Sequence, residues 1–306
     1  MANDSTPQSR IDAPTGTEFV GHEWDGIEEL NTPLPRWWLW TFYATVVWGL
    51  AYTVAYPAWP MIEQATAGTL GWTSRGQLAK DMSAAETARS EILARIDAMP
   101  TVELASNPEL LQQAVAGGAA AFKVNCVQCH GSGAAGSAGY PNLNDDDWLW
   151  GGDLEAIEFT IQHGIRWEGD DRARFSLMPG FEGMFSDAQV RGLVNHVRSL
   201  GGEGQSSPAG AQLYADNCLA CHGAEGDGDR MQGAPALNDA IWLYGSSEAD
   251  IRRQIRAPRH GVMPGWSGRL DPVTIKMLAA YVHSLGGGEA SPAPAPEPAA
   301  GGDEQP

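Results

Sequence analysis

The chain opens on a sharp change of pattern. Residues 1–36 are polar and acidic, without apolar periodicity, and Arg10 and Arg36 are their only positive charges. From Trp37 to Tyr56 there follow 20 residues without a charge. As a helix, such a run rises about 30 Å, the thickness of a bilayer's hydrocarbon core. Trp37, Trp38 and Trp40 sit at one end and Tyr52, Tyr56 and Trp59 at the other. Amphipathic rings favour both membrane interfaces. Pro57 and Pro60 close the segment. The pattern predicts a membrane anchor over 37–57, and Arg36 at its start favours a cytoplasmic N-terminus for the acidic segment 1–36. A cleaved signal peptide is the alternative, with Ala65-Thr66-Ala67 as the cleavage site. The long acidic stretch before the apolar run favours an uncleaved anchor.

Residues 58–107 read as a stalk. Leu78, Met82, Ala85, Ile92, Ile96 and Met99 recur at helical spacing over 74–99, Ser74 and Gln77 fit a capping box, and Pro100 ends the pattern. Packing on a partner is the other use for such a helix.

Laying the rest of the chain on itself shows two copies of one helical pattern. Cys126-Val-Gln-Cys129-His130 matches Cys218-Leu-Ala-Cys221-His222 at an offset of 92, which is 218 less 126. Met178-Pro179-Gly180-Phe181 matches Met263-Pro264-Gly265-Trp266 at 85, which is 263 less 178. The offset shrinks because the first copy has extra residues between His163 and Met178. The copies cover 108–202 and 203–288, joined by the Gly/Ser/Pro-rich stretch Glu203 to Gly210. Residues 289–306 are rich in Ala, Pro and Glu and lack the apolar residues to fold. The fold class is all-α: one N-terminal transmembrane helix and two tandem small domains of about four helices each.

Charge narrows the partners. The formal net charge is −19. Phosphate binding needs clustered Lys and Arg, so nucleic acid is excluded as a partner. The acidity either steers a basic soluble protein or serves solubility.

The four cysteines form two C-x-x-C pairs, each followed by His, which is the attachment signature of c-type haem. Positions i, i+3 and i+4 share one helix face. Two sulfurs there bond the two vinyl groups of a haem, and the histidine beside the second sulfur meets the iron. Cys126, Cys129 and His130 thus hold one haem c, and Cys218, Cys221 and His222 a second. A zinc or thioredoxin-type pair is the rival for a single motif. Electron-transfer cytochromes usually add a second axial ligand, often Met. Met178 and Met263 hold equivalent places, whereas Met184 and Met231 have no counterparts. His163 and His260 also pair across the copies, and the expected role is to hold backbone or a propionate. Trp148, Trp150, Trp242, Phe181 and Trp266 are candidates for pocket packing. Arg166, Arg172, Arg174, Arg252, Arg253 and Arg259 are candidates for pairing with propionates. With both axial positions filled, neither iron is open to oxygen or peroxide, so no residue is assigned as catalytic. Each Met follows its own copy's His by a length sufficient to wrap a haem, so self-contained domains are the default. Exchange of the Met loops between copies is the alternative.

An acidic start, one anchor, a stalk and two C-x-x-C-H domains ending in LVNHVRSLGG and LAAYVHSLGG resemble the dihaem subunit of the cbb-type cytochrome c oxidases, the CcoP or FixP family. AFKVNCVQCHGSGAAGSAGYPNLNDDDWLWGG and GAPALNDAIWLYG are especially similar to it. The resemblance covers nearly the whole chain apart from its C-terminal tail. It implies cytochrome-c-like domains, two covalent haem c groups, and His130, Met178, His222 and Met263 as axial ligands. It also implies a place in the bacterial inner membrane with the haem domains periplasmic. The implied partners are a monohaem cytochrome c subunit, a catalytic haem–copper subunit that reduces oxygen and pumps protons, and a cytochrome c donor. Other readings are the cytochrome subunit of a membrane dehydrogenase, or a dihaem peroxidase or sulfur-oxidising enzyme.

Overall fold

The computed structural model describes residues 10–291. The chain forms β1 (Phe19–Trp24), β2 (Ile27–Leu30), α1 (Arg36–Ala55), α2 (Ser74–Ala98), α3 (Thr101–Leu104), α4 (Pro108–Asn125), α5 (Val127–His130), α6 (Leu154–His163), α7 (Asp187–Leu200), α8 (Pro208–Asn217), α9 (Leu219–His222), α10 (Glu248–Arg256) and α11 (Pro272–His283). It divides into two compact units, Met1–Thr87 and Ala88–Pro306.

In the first unit the all-α expectation needs one correction. β1 and β2 form an antiparallel hairpin with Trp24 opposite Ile27. Its turn is Asp25-Gly26, both at positive φ (47° and 85°). A two-residue Asp-Gly turn matches the twist of paired strands. That dipeptide between apolar residues was the sequence signal for the hairpin.

α1 coincides with the uncharged run, and none of its residues is buried. Among the described residues, however, no helix is long and apolar enough to cross a membrane. The anchor expected over 37–57 therefore stands without this support. The cause is composition: Trp37, Trp38, Trp40, Tyr43, Thr45, Gly49 and Tyr52 contribute little hydropathy to a helix that has the length. After α1 the chain turns back on the helix end, where the amides of Thr69 and Leu70 donate to the carbonyls of Val54 and Ala55 (2.9 and 3.1 Å).

α2 covers the expected stalk helix, with a different cap. The Thr73 hydroxyl accepts from the Gly76 amide at 2.9 Å, and Gln77 donates to Asp81 rather than reaching back.

In the second unit the repeats differ from the packing. Helices α4–α7 come from the first copy and α8–α11 from the second. Yet α11 packs on α4 and α6, while α7 packs on α8 and α10. Lobe I gathers Phe122, Ile157, Ile161, Ile275, Leu278 and Val282. Lobe II gathers Phe181, Val190, Leu193, Val194, Tyr214, Ile251 and Ile255. The default of self-contained domains over 108–202 and 203–288 does not describe this packing. Each copy lends its last helix and Met loop to the other. Lobe II is therefore one continuous run from Met178 to Arg256. Lobe I is made of two runs, and the chain leaves it at Ile165 and rejoins it at Met263. There the Ile165 amide donates to the Met263 carbonyl (2.9 Å) and the Met263 amide to that of Ile165 (3.0 Å).

Small residues make both helix crossings close. A Cβ on Gly118 of α4 would strike the Met277 carbonyl of α11, and one on Gly210 of α8 the Gly192 carbonyl of α7. The end of α2 adds Ile92, Ile96 and Met99 to a further core with Leu104, Leu110, Ala114, Met277 and Ala280. The first residue of the tail expected from 289 is docked on the second unit. Glu289 accepts from the Gly152 amide at 2.7 Å and pairs with Arg230 at 2.6 Å. Residues 292–306 of that tail lie outside the described residues.

Candidate haem sites

Both C-x-x-C-H motifs form the same local structure. Cys126 ends α4, its amide donating to Phe122, and the amides of Cys129 and His130 donate back to the Cys126 carbonyl. Cys218, Cys221 and His222 repeat this after α8, through Tyr214. Gly131 and Gly223, at φ 78° and 77°, stop the turn. Both sulfurs and the imidazole thus lie on one face, as the spacing predicts. Cys126 and Cys218 are half-buried, while Cys129 and Cys221 are exposed.

The two histidines are held in the same tautomer. His130 Nδ1–H donates to the Pro141 carbonyl at 3.1 Å, and His222 Nδ1–H to the Pro235 carbonyl at 3.0 Å. A carbonyl only accepts, so the proton sits on Nδ1 and Nε2 keeps its lone pair for a metal. Burial holds both rings below the usual histidine range, and the carbonyl bond only partly offsets it. The neutral ring is the ligating form.

Two of the four thiols are shielded. Burial, then the neighbouring thiol, pushes Cys126 and Cys218 up to about 11 each. Thioredoxin-type cysteines need the opposite shift. For Cys126 and Cys218 the direction runs against that chemistry.

The methionines arrive from the opposite copy. Met263 packs with Cys126, Val127 and Trp266 in lobe I. Met178 packs with Cys218 and Trp242 in lobe II. The loops are docked through their aromatic residues. The Trp266 amide donates to Ile161 and Gln162 at the end of α6, and the Phe181 amide to Ile255 at the end of α10. Both glycines of the Met-Pro-Gly turns lie against these helix ends: Gly265 against Gln162 and His163, Gly180 against Arg256. Met184 and Met231 are 65% and 90% exposed, outside either core.

His163 and His260 hold protein groups. His163 is 2% exposed, and its Nδ1–H donates to Asp170 at 2.6 Å. That bond holds the Asp170 carboxyl below the usual range. His260 Nε2 accepts the Met178 amide N–H at 3.0 Å. Burial first, then the Arg166 charge, keeps His260 below the ordinary histidine range.

Of the candidate arginines, Arg174 donates to Thr160 Oγ1 at 2.9 Å and lies over the rings of Trp150 and Phe159. Arg172 and Arg253 pair with Asp170 and Asp250, and Arg259 lies over Tyr244. Among the described residues no hydrogen bond or ion pair ties Arg252 to either site.

The aromatic candidates divide. Trp148 donates Nε1–H to Gly287 and Trp242 donates to Asp239. Among the described residues Trp150 Nε1 is buried without an acceptor, and its ring fills the space a side chain on Gly233 would need. A haem propionate would supply the missing acceptor. Two thiols on one face, an imidazole with free Nε2, a thioether in the same apolar cluster and an orphaned indole N–H together fit haem c.

That donor set defines a class, the c-type cytochromes, which carry electrons on covalently bound haem. The particular family follows from comparison with known proteins. Residues 16–63 match the N-terminal domain of cytochrome oxidase-cbb3, FixP. Residues 113–197 and 205–282 match cytochrome c oxidase, cbb3-type, subunit III. The FixP subunit of the cbb3-type oxidase of Sinorhizobium medicae is 51% identical over 283 residues, covering 91% of this chain and 98% of its own length. FixPc of Rhizobium leguminosarum bv. viciae is 52% identical over 285 residues, 92% of this chain and 99% of its own. The CcoP subunit of Cereibacter sphaeroides is 48% identical over 294 residues, 94% and 100%. The chain belongs to the family of subunit III of cbb3-type cytochrome c oxidases. It is an electron-transfer subunit of a terminal oxidase and not a catalyst on its own.

Proposed function

We propose that this chain carries two haem c groups and relays electrons from a cytochrome c donor towards a catalytic haem–copper subunit, alongside a monohaem cytochrome c subunit. Haem c, when bound, supplies an iron that cycles between ferrous and ferric states. The protein's part is to fix and tune it. Cys126 and Cys129, and Cys218 and Cys221, hold the two groups by thioether bonds. His130 and His222 present Nε2, oriented by the Pro141 and Pro235 carbonyls. Met263 ligates the iron beside His130, and Met178 the iron beside His222, so the ligation is crossed between the copies. The observation that carries this reading is the shared core of Met263 with Cys126 and of Met178 with Cys218. A His and a Met held for each iron would leave neither open to oxygen or peroxide. That favours relay over the peroxidase and sulfur-oxidising readings.

In this reading α1 anchors the chain in the bacterial inner membrane. Its support is the uncharged run from Trp37 to Tyr56 with aromatic residues at both ends, and the lack of any buried residue in α1. The acidic N-terminus is then cytoplasmic and the haem lobes periplasmic.

The test is to purify the native complex and identify its subunits. Pyridine-haemochrome counting on this chain should give two covalent haems, and the reduced chain should bind little carbon monoxide. Cys126→Ala or Cys218→Ala should each leave one haem. Two haems in either variant, or carbon monoxide binding to the unmodified chain, would overturn the assignment.

A further inference from the structure

The two copies differ most between the paired histidine and the methionine. His163 precedes Met178 by 15 residues, whereas His260 precedes Met263 by 3. The extra stretch, 166–177, has no counterpart in the second copy. It closes on itself, the Arg166 amide donating to Arg174 at 2.7 Å and the Arg174 amide to Gly164 at 3.0 Å. Arg166 starts it at φ 52°, a strained setting for a side chain with a Cβ.

The Arg166 side chain turns to both methionine loops. Its Nε donates to the Gly261 carbonyl at 2.6 Å, and its Nη1 to the Ser176 carbonyl at 3.2 Å. Gly261 stands two residues before Met263, and Ser176 two before Met178. His260, next to Gly261, accepts the Met178 amide N–H itself. One half-buried guanidinium and one imidazole thus tie together the two loops that serve different lobes. Neither side chain belongs to the core of either lobe.

We propose that Arg166 and His260 form a positioning bridge that holds Met178 and Met263 together, so that the two irons are tuned as a pair. The proposal rests on the crossed ligation above. A planar guanidinium with two fixed donors suits this role, because it sets the separation of two carbonyls as well as binding each. Loosening the bridge frees both thioethers to leave their irons. Losing the positive charge also favours the ferric state of both. Both effects lower both potentials. A residue serving only its own copy's methionine would change one.

The experiment uses the full chain within its complex and compares the unmodified protein with Arg166→Gln, Arg166→Lys, His260→Ala, His260→Gln and, on the same stretch, the exposed Arg172→Gln. Covalent haem content normalises every sample. The readouts are the Met-to-iron charge-transfer band, carbon monoxide binding and the two waves of a redox titration. Arg166→Gln should weaken the band, lower both waves and raise carbon monoxide binding several-fold at both haems. Arg166→Lys, with the charge and fewer donors, should fall between, and Arg172→Gln should match the unmodified protein. His260→Ala should affect the Cys218 haem first, and His260→Gln, which keeps an acceptor, should recover it. If Arg166→Gln changes one haem or neither, the bridge is refuted. If that variant does not accumulate, potentials in Arg166→Lys equal to those in Arg172→Gln refute it. An unmodified protein without the charge-transfer band refutes the ligation reading and the bridge with it. Band present and unchanged in Arg166→Gln refutes the bridge alone.

Discussion

Lobe I and lobe II are built from matching elements and differ in how the chain supplies them. Lobe II is a single run, with its methionine loop first and its C-x-x-C-H motif in the middle. Lobe I is interrupted, since α4, α5 and α6 come before lobe II and the Met263 loop and α11 come after it. Locally the lobes are near twins: the same turn after each cysteine helix, the same carbonyl lock on each histidine, the same aromatic docking of each methionine loop. Connection makes the difference. α7 ends at Leu200 and α8 begins at Pro208. Helices joined by so short a link pack as antiparallel neighbours. So α8 takes α7 as its crossing partner, and α4 is left to α11.

The comparison breaks most severely on truncation. A chain ending at Gly202 removes α11 and Met263 from lobe I and α8, α9 and α10 from lobe II. Neither lobe keeps its core. The expected result is loss of cooperative thermal unfolding and of the charge-transfer band. A fragment over 174–260 keeps every element of lobe II, and should melt cooperatively with one covalent haem and a Met ligand. The reverse outcome, with the 1–202 chain folded and Met-ligated, would restore the self-contained domain.

Crossed ligation can be tested one atom at a time. In a Cys126→Ala background only the Cys218 haem remains. Adding Met178→Ala should then open that haem to carbon monoxide and lower its potential, while adding Met263→Ala should change it little. In a Cys218→Ala background the two methionines should exchange these effects. Equal responses to both substitutions would exclude a fixed pairing.

Much of this was legible in the sequence, and the limit was consistent. The C-x-x-C-H turns, the methionine turns, α1, α2 and four helices per copy follow from spacing and periodicity, which are local. Partner choice is not local. α7 and α11 have similar apolar faces, so either could cover α4 as far as composition shows. The short joint from Glu203 to Ser207 carried the missing information, read only as a boundary between domains. The hairpin was missed for another reason. Its strands expose Val20, Trp24 and Ile27, so no buried face marks them, and the Asp25-Gly26 turn was the only strong signal. The indole of Trp150 and the Arg166 bridge depend on contacts across the copies, which alignment of one copy on the other cannot show.

A smaller effect tests whether the two helix crossings are equivalent. Gly118→Ala in lobe I and Gly210→Ala in lobe II each place a Cβ against a facing carbonyl. Overpacking of this kind costs about 1–3 kcal/mol. Alanine's helix propensity returns about 1 kcal/mol at most. Both variants should lower the melting temperature by similar amounts in the full chain. A large effect from one alone would show that only that crossing is tight.

An effect of similar or smaller size concerns a contact that lobe II lacks. Lys276 on α11 is 8% exposed. Its ammonium donates to the carbonyls of Ile96, Asp97 and Met99, at 3.2, 2.9 and 2.7 Å. These carbonyls lie at the last turn of α2 and its exit; that of Ile96 also accepts from the Met99 amide at 3.4 Å, so Asp97 and Met99 depend most on the ammonium, and a cation at a helix C-terminus is favourable. The equivalent position on α7, 85 residues earlier, is Arg191, which is exposed. Lys276→Met keeps the aliphatic length and removes the donors. Orphaned acceptors cost about 1–3 kcal/mol, charged partners towards the upper end. Releasing a buried ammonium from desolvation offsets part of this. The net loss should be about 1–2 kcal/mol in the full chain, read by denaturant unfolding, with earlier hydrogen exchange at the amides of the last turn of α2. Arg191→Met should stay within about 0.5 kcal/mol of the unmodified chain, as for most exposed substitutions. If the two variants are equally mild, the end of α2 is held by its apolar contacts with Leu104, Leu110 and Met277, and the ammonium adds only orientation.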